Sequence, residues 1–157
     1  METKTRTKRH TRQAVARELA NLLADEFVLC SKIRKAHVQI EAADFCDTHS
    51  CFETHFRQLD HIVDRIAERI RSLGYHAYAI LISFLALTCF SDAGEDKSDS
   101  RIALKELLTE HEHIIGQLKE HIHRFSNEYE DSGTSDFMTG LLEDHEKMAC
   151  LLRAYLK

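Results

Sequence analysis

The chain has no proline, no tryptophan and only five glycines in 157 residues. Proline and glycine are the residues that most often interrupt a helix, so their scarcity favours long helices. Long hydrophobic runs are missing too, because the longest apolar stretch, 77–90, contains Ser83 and Thr88 and is too short to span a bilayer. The basic N-terminus lacks the apolar segment of a signal peptide. We therefore predict a helical, cytoplasmic protein that does not insert into a membrane.

The number and spacing of the cysteines indicate the redox compartment of the protein. The five cysteines are odd in number and form no CxxC pair: Cys30, Cys46, Cys51, Cys89 and Cys150. This usage argues against a disulfide framework and for a reducing cytosol. We predict that most of these thiols act as small buried hydrophobes. Oxidation of Cys46 or Cys51, which lie on either side of His49, is the alternative.

Apolar residues that recur with a 3.6-residue period predict four long helices. We expect them at 12–39, 45–73, 99–126 and 135–156, with a short, mostly buried helix at 77–87 and a polar loop at 91–98. The expected N-caps are Thr11, Asp44 and either Thr134 or Ser135, and Gly74 should end the second helix. The predicted fold is an all-α, ferritin-like four-helix bundle over 12–157, with a short extra helix in the long crossover. Residues 1–11 should form a disordered basic tail.

Five residues have the side chains that suit iron and other borderline metals: His37, His49, Glu53, Asp64 and Glu68. Two i,i+4 pairs on the second helix, His49/Glu53 and Asp64/Glu68, each place two ligands on one helix face. However, the 15 residues from His49 to Asp64 correspond to roughly 22 Å of helix, which is too long for one metal site.

A two-fold axis between two copies of the chain would bring the separated pairs of ligands together. If two copies of the second helix cross antiparallel near Gln58 and Leu59, each His49/Glu53 pair faces the Asp64/Glu68 pair of the other copy. An isologous contact of this kind creates two identical sites. His37, near the end of the first helix, could supply a further ligand. The alternative is that these side chains form an ordinary solvated helix face.

The sequence resembles the Dps family of mini-ferritins over about residues 12–156. The order His-x11-His-x3-Glu-x10-Asp-x3-Glu, from His37 to Glu68, is specific to that family. Further similarity lies in the segments 22–29, 35–37, 44–45, 66–70, 133–141, 145–148 and 152–155.

The resemblance implies a homododecameric shell in which ferroxidase centres form between two subunits. His37, His49 and Glu53 would come from one subunit, and Asp64 and Glu68 from its two-fold partner. Each centre would hold two irons, for which zinc could substitute. Hydrogen peroxide would be the expected oxidant, and the ferric product would be stored inside the shell.

The chain departs from the family pattern near the expected site. Val38 and Cys150 stand where tryptophan is common, Cys46 stands where histidine is common, and Ala42-Ala43 replaces a usual Gly-Pro. Because those tryptophans pack near the site and can absorb oxidising equivalents, radical control could differ in this chain.

Basic residues concentrate at the N-terminus. The first twelve residues contain Glu2 and five basic residues, Lys4, Arg6, Lys8, Arg9 and Arg12, which gives a net charge of about +4. The rest of the chain carries a net charge of about −9. Twelve such tails on one shell would bind DNA through its phosphates without reading sequence. A tail that only aids solubility is the equal alternative.

Acidic residues flank the turn into the last helix. Asp131 and Asp136 correspond to positions that, in the family, line a three-fold pore for Fe(II). For Asp136 the alternative is favourable interaction with the helix dipole.

The remaining histidines and two Glu-x-x-His pairs on the third long helix are predicted to be surface residues. The pairs are Glu110/His113 and Glu120/His123, and the other histidines include His55, His61, His76, His111 and His121.

Three functions follow as hypotheses. The first is a ferroxidase and iron store that protects DNA from oxidative damage. The second is a nucleoid-packaging shell with weak or no ferroxidase activity. The third, a di-iron site inside the bundle, is disfavoured because Glu-x-x-His does not occur on two different helices.

Overall fold

The computed structural model describes residues 9–39, 45–77, 81–91 and 99–157. These residues contain five helices and no strand: α1 (Arg9–Gln39), α2 (Phe45–Ser72), α3 (Leu81–Leu87), α4 (Ser100–Asn127) and α5 (Ser132–Tyr155). Helix α1 packs along α2 and α4 along α5, while α3 lies against α1. The predicted bundle of four long helices with a short helix in the crossover is therefore confirmed.

The core forms where the apolar stripes of the four long helices meet. On α2, Phe52, Leu59, Ile66 and Ile70 are almost fully buried, while Phe56 and Val63 pack at its edge. Each fully buried side chain of this size contributes roughly 1.5–3 kcal/mol. Burial of this stripe fixes the rotation of α2 about its axis, and so decides which of its residues face outward.

The predicted starts of two helices are wrong. Helix α1 begins at Arg9, before the expected cap Thr11, so the basic residues Arg9 and Arg12 belong to a helix. Helix α5 begins at Ser132 because the Asp131 side chain caps it, accepting a hydrogen bond from the Thr134 backbone N–H at 3.0 Å.

Gly74 ends α2 as predicted. It adopts a φ of +89°, a left-handed conformation that glycine reaches without steric cost. Its backbone N–H donates to the carbonyl of Arg71, and that of Tyr75 donates to Ile70. The predicted cap Asp44, the link at 41–43 and most of the predicted loop at 91–98 lie outside the described residues.

The crossover after α3 is held by one buried carboxylate. Asp25, 3% exposed, accepts hydrogen bonds from the Thr88 hydroxyl and the Cys89 backbone N–H, both at 2.7 Å. Gln117 of α4 donates to the same carboxylate at 3.3 Å. The pKa of the Cys89 thiol is raised to about 11 by burial and by Asp25, which keeps this thiol protonated.

Candidate metal centre

The outward face of α2 carries four of the predicted ligands. His49 and Glu53 are half-buried, whereas Asp64 and Glu68 are exposed. None of the four points into the core, as predicted. They therefore occupy a surface that a second molecule can reach.

The end of α1 brings a fifth predicted ligand to this face. The His37 and His49 rings lie 3.9 Å apart between centroids and are inclined by 30°. His37 Nδ1 lies 3.3 Å from the His49 carbonyl oxygen. Two imidazoles from different helices thus meet beside Glu53, although His37 and His49 are twelve residues apart in sequence.

Glu53 is held by a cation four residues along the helix. The Arg57 guanidinium donates to its carboxylate at 2.5 Å. This hydrogen bond and the charge of Arg57 lower the pKa of Glu53, with smaller contributions from His37 and His49. Glu53 is therefore an ionised carboxylate at neutral pH, and a metal ion would compete with Arg57 for it.

Asp64 and Glu68 lie further along the same helix and do not join this group. Two neighbouring arginines connect α2 to α5. Arg65 donates a hydrogen bond to Asp144 at 2.8 Å, and Arg69 donates one to the Thr134 hydroxyl. In the part of the chain that is described, no three His, Cys, Asp or Glu side chains are placed to hold a metal ion as they stand. The predicted ligands of one chain thus form two separate sets.

The two predicted pore residues differ in their surroundings. Asp131 accepts from the Thr134 hydroxyl at 2.6 Å and lies 3.5 Å from Arg69, so its carboxylate is occupied in capping α5. Asp136 is exposed on the first turns of α5. Of the two, Asp136 is therefore the carboxylate that incoming cations reach more easily.

Among the basic residues predicted to contact DNA, Lys4, Arg6 and Lys8 lie outside the described residues. Arg9 and Arg12 lie on the first turn of α1, and Arg12 is half-buried. Cys46 lies at the start of α2, where its side chain is not described. Cys51 is buried, and burial raises its pKa, which supports its role as an inert packing residue.

The prediction that the remaining histidines are exposed is wrong for several of them. His55 and His111 are fully buried, and so is His145, which belongs to no predicted site. Burial lowers the pKa of His55 to about 4 and that of His111 well below its usual value. Both imidazoles are therefore neutral at pH 7.

The burial of His55 and His111 can be predicted from their spacing in the sequence. His55 follows Phe52 by three residues and precedes Leu59 by four, so it belongs to the buried stripe of α2. His111 stands in a similar relation to Leu107 and Ile114 on α4. Residue type alone favours a surface position for histidine, whereas the positions of His55 and His111 on their helices place both side chains in the core.

The other histidines follow the prediction more closely. His61, His76 and His113 are in large part exposed, as are His123 and Glu120. Glu110 is half-buried and forms an ion pair with Lys32 of α1. His121 is an exception, because it stacks on Phe125 at 5.4 Å and only 16% of its side chain is exposed.

Comparison with known proteins identifies the family. The family model for the ferritin-like domain matches residues 16–157. The chain belongs to the ferritin-like family. An uncharacterised low temperature-induced protein of Nostoc is 34% identical over 93% of this chain and 82% of its own length.

Two further relatives of this ferritin-like protein carry the Dps name, which confirms the resemblance to that family. The DNA protection during starvation protein of Helicobacter pylori is 28% identical over 88% of this chain and 95% of its own length. The crystal structure of a Dps protein from Vibrio cholerae, described as one of the ferritin-like diiron-carboxylate proteins, is 26% identical. It has a TM-score of 0.89 and covers 96% of this chain and 93% of that one. No helix among the described residues is long and apolar enough to cross a membrane.

Proposed function

We propose that this ferritin-like protein oxidises Fe(II) at a site shared between two subunits and stores the ferric product in a dodecameric shell. The observation that carries the proposal is the division of the α2 ligands. His37, His49 and Glu53 form one group, while Asp64 and Glu68 lie roughly 16–28 Å from His49 and Glu53 along the same helix.

An antiparallel pair of α2 helices completes the site. The positions 49 and 68 are equidistant from a point between Gln58 and Leu59, so a two-fold axis there brings the two sets of ligands together. Because the contact is isologous, each dimer holds two such sites. A hollow shell of twelve subunits would then hold twelve of them.

The ligand set fits iron as substrate. Imidazole and carboxylate both bind Fe(II), and three carboxylates favour the ferric product as well. Hydrogen peroxide accepts two electrons, one from each of two Fe(II) ions, and takes up two protons to give two waters. Delivery of both electrons together avoids release of a hydroxyl radical, and this would protect DNA in the cytoplasm.

The site is tested by removing its imidazoles. A His37→Ala/His49→Ala variant should oxidise Fe(II) with peroxide at least about tenfold more slowly, since metal affinity depends on each ligand. His76→Ala/His123→Ala is the matched control, because both of its histidines lie outside the group and away from its ligands. Oxidation by the first variant at the wild-type rate would exclude this site assignment.

DNA packaging is the second candidate function, and the cluster of basic residues at the N-terminus favours it. Deletion of residues 1–8 removes Lys4, Arg6 and Lys8 and leaves the described range of α1, Arg9–Gln39, in place. A protein that binds fewer phosphates should show a weaker salt dependence of DNA binding. We expect the deletion to abolish DNA gel shifts at about 150 mM salt and to leave iron oxidation unchanged. A shift equal to wild type would refute a role for the tail.

A further inference from the structure

Four titratable side chains lie fully buried at the centre of the bundle, one on each long helix. They are Glu26 of α1, His55 of α2, His111 of α4 and His145 of α5. Three of them form a line, because Glu26 and His111 contact opposite nitrogens of the His145 ring. We call Glu26, His145 and His111 the buried line.

The two contacts within the buried line differ in kind. His145 Nε2 lies 2.8 Å from a Glu26 carboxylate oxygen, which is an ion-pair distance without the alignment of a hydrogen bond. His145 Nδ1 and His111 Nδ1 are hydrogen-bonded at 2.9 Å, and this bond joins α5 to α4. His55 lies further away, with its ring centroid 6.1 Å from that of His111.

Charge balance places one proton on Glu26 or on His145. An ionised carboxylate that is shielded from water is costly unless a cation neutralises it. Glu26 is therefore neutralised either by the proton itself or by an imidazolium ring of His145. A carboxylic acid that donates to Nε2 and an imidazolium both leave a hydrogen on His145 Nδ1.

This hydrogen decides the role of His111. Only one hydrogen fits between two nitrogens that lie 2.9 Å apart. Since His145 Nδ1 supplies it, His111 Nδ1 accepts it and cannot take up a proton while the contact is intact. Burial acts in the same direction, because it lowers the pKa of His111, with further contributions from His145 and His55.

The other titratable groups around the buried line are neutral or directed elsewhere. His55, which faces His111 from α2, has a pKa lowered to about 4 by burial. Cys30, one turn after Glu26 on α1, has a pKa raised to about 12, mainly by burial. The Asp25 carboxylate accepts its hydrogen bonds from the crossover. Of these groups, none offers a counter-charge for a second proton in the line.

We propose that the His111–His145 hydrogen bond is an acid-sensitive contact, which holds α4 against α5 at neutral pH and opens as the pH falls. In the open state water reaches His111, which then has the ordinary histidine pKa of about 6.5. The open state binds one proton more than the closed state, so acid favours it. The stability that the contact provides is complete above about pH 6.5 and is lost as the pH falls below that value.

The size of the effect follows from this one proton. At about pH 5.5, one unit below the pKa of the open state, about ten open molecules carry the proton for each one that does not. Between about pH 7.5 and about pH 5.5, His111 should therefore increase the opening equilibrium about tenfold. His111→Gln provides the reference, because its amide accepts a hydrogen bond from His145 and does not titrate.

Hydrogen exchange in the assembled protein, followed by mass spectrometry, measures the opening of the buried turns of α4 and α5. Wild type and His111→Gln are compared at the same pH, so the intrinsic exchange rate cancels in their ratio. We expect the ratio of the wild-type rate to the variant rate to rise about tenfold between about pH 7.5 and about pH 5.5. His123→Gln, which replaces an exposed histidine of the same helix, is the matched control, and its ratio to wild type should not change with pH.

A second measurement detects the shared hydrogen in the wild-type protein. Solid-state nitrogen NMR with isotope-labelled histidine distinguishes protonated from unprotonated ring nitrogens. At neutral pH, His145 Nδ1 should carry a hydrogen and His111 Nδ1 should carry none, with a coupling between the two nitrogens through the hydrogen bond.

Equal acceleration of exchange by acid in wild type and in His111→Gln would overturn the proposal. A wild-type spectrum in which His111 Nδ1 carries a hydrogen at neutral pH would overturn it as well. Should His111→Gln not fold, the wild-type spectrum decides between the two results.

Discussion

At the scale of single residues, the proposed site depends on competition between Arg57 and a metal ion for Glu53. The Arg57 guanidinium holds Glu53 ionised, and it also occupies one of its oxygens at 2.5 Å. This arrangement keeps the carboxylate ready for a cation. Binding a cation at Glu53 also costs free energy, because the ion pair with Arg57 must be broken.

Removing Arg57 should therefore strengthen metal binding. We expect Arg57→Gln to bind Zn²⁺, as a redox-inert substitute for Fe(II), about two- to fivefold more tightly in calorimetry, in keeping with the modest strength of exposed ion pairs. Arg71→Gln, on the same helix but paired with His76, is the control and should bind as wild type. Unchanged or weaker binding by Arg57→Gln would show that Glu53 is not a ligand.

At the scale of helices, α2 has two faces with different roles. Its apolar stripe packs in the core, and the same packing aims His49, Glu53, Asp64 and Glu68 outward. The 3.6-residue periodicity in the sequence was sufficient to predict both faces. It did not predict the true start of α5, because Asp131, Thr134 and Ser135 are all good capping residues and only tertiary contacts with Arg69 distinguish them.

Alanine variants of Asp131 and Asp136 should distinguish an effect on stability from an effect on iron uptake. Asp131→Ala removes the cap of α5 and a partner of Arg69, so it should cost about 1–2 kcal/mol and lower the melting temperature by about 2–8 °C. Asp136→Ala is exposed and should change stability by less than about 0.5 kcal/mol. Thermal unfolding of the two variants measures both effects, and equal losses would contradict the capping role of Asp131.

Iron uptake provides the second measurement on this pair. If Asp136 lines a pore for Fe(II), Asp136→Ala should slow Fe(II) uptake at low salt, because carboxylates concentrate cations by their field. The same uptake rate as wild type, with unchanged thermal stability, would show that Asp136 has no such role.

At the scale of the whole molecule, sequence reasoning succeeded where a single helix decides the outcome and failed where several helices do. The outward orientation of the proposed ligands on α2 followed from the period of one helix. The buried cluster of His55, His111 and His145 did not, because each histidine looks ordinary on its own helix and only the packed bundle unites them.

Each chain is proposed to hold two incomplete halves of a site, and a mixing experiment tests this division directly. One variant lacks the imidazoles (His37→Ala/His49→Ala) and the other lacks the distal carboxylates (Asp64→Ala/Glu68→Ala). Each alone should be nearly inactive. In a mixed dimer, one of the two sites combines the intact half of each variant.

The measurement is peroxide-dependent Fe(II) oxidation after the two variants are unfolded together and reassembled in equal amounts. Random pairing makes about half of the dimers mixed, so about a quarter of the wild-type sites should return. Wild-type protein taken through the same steps, and the two variants reassembled separately and then combined, serve as controls. Recovery to about one quarter is the result predicted here, and no recovery above the separately assembled variants would contradict a site shared between subunits.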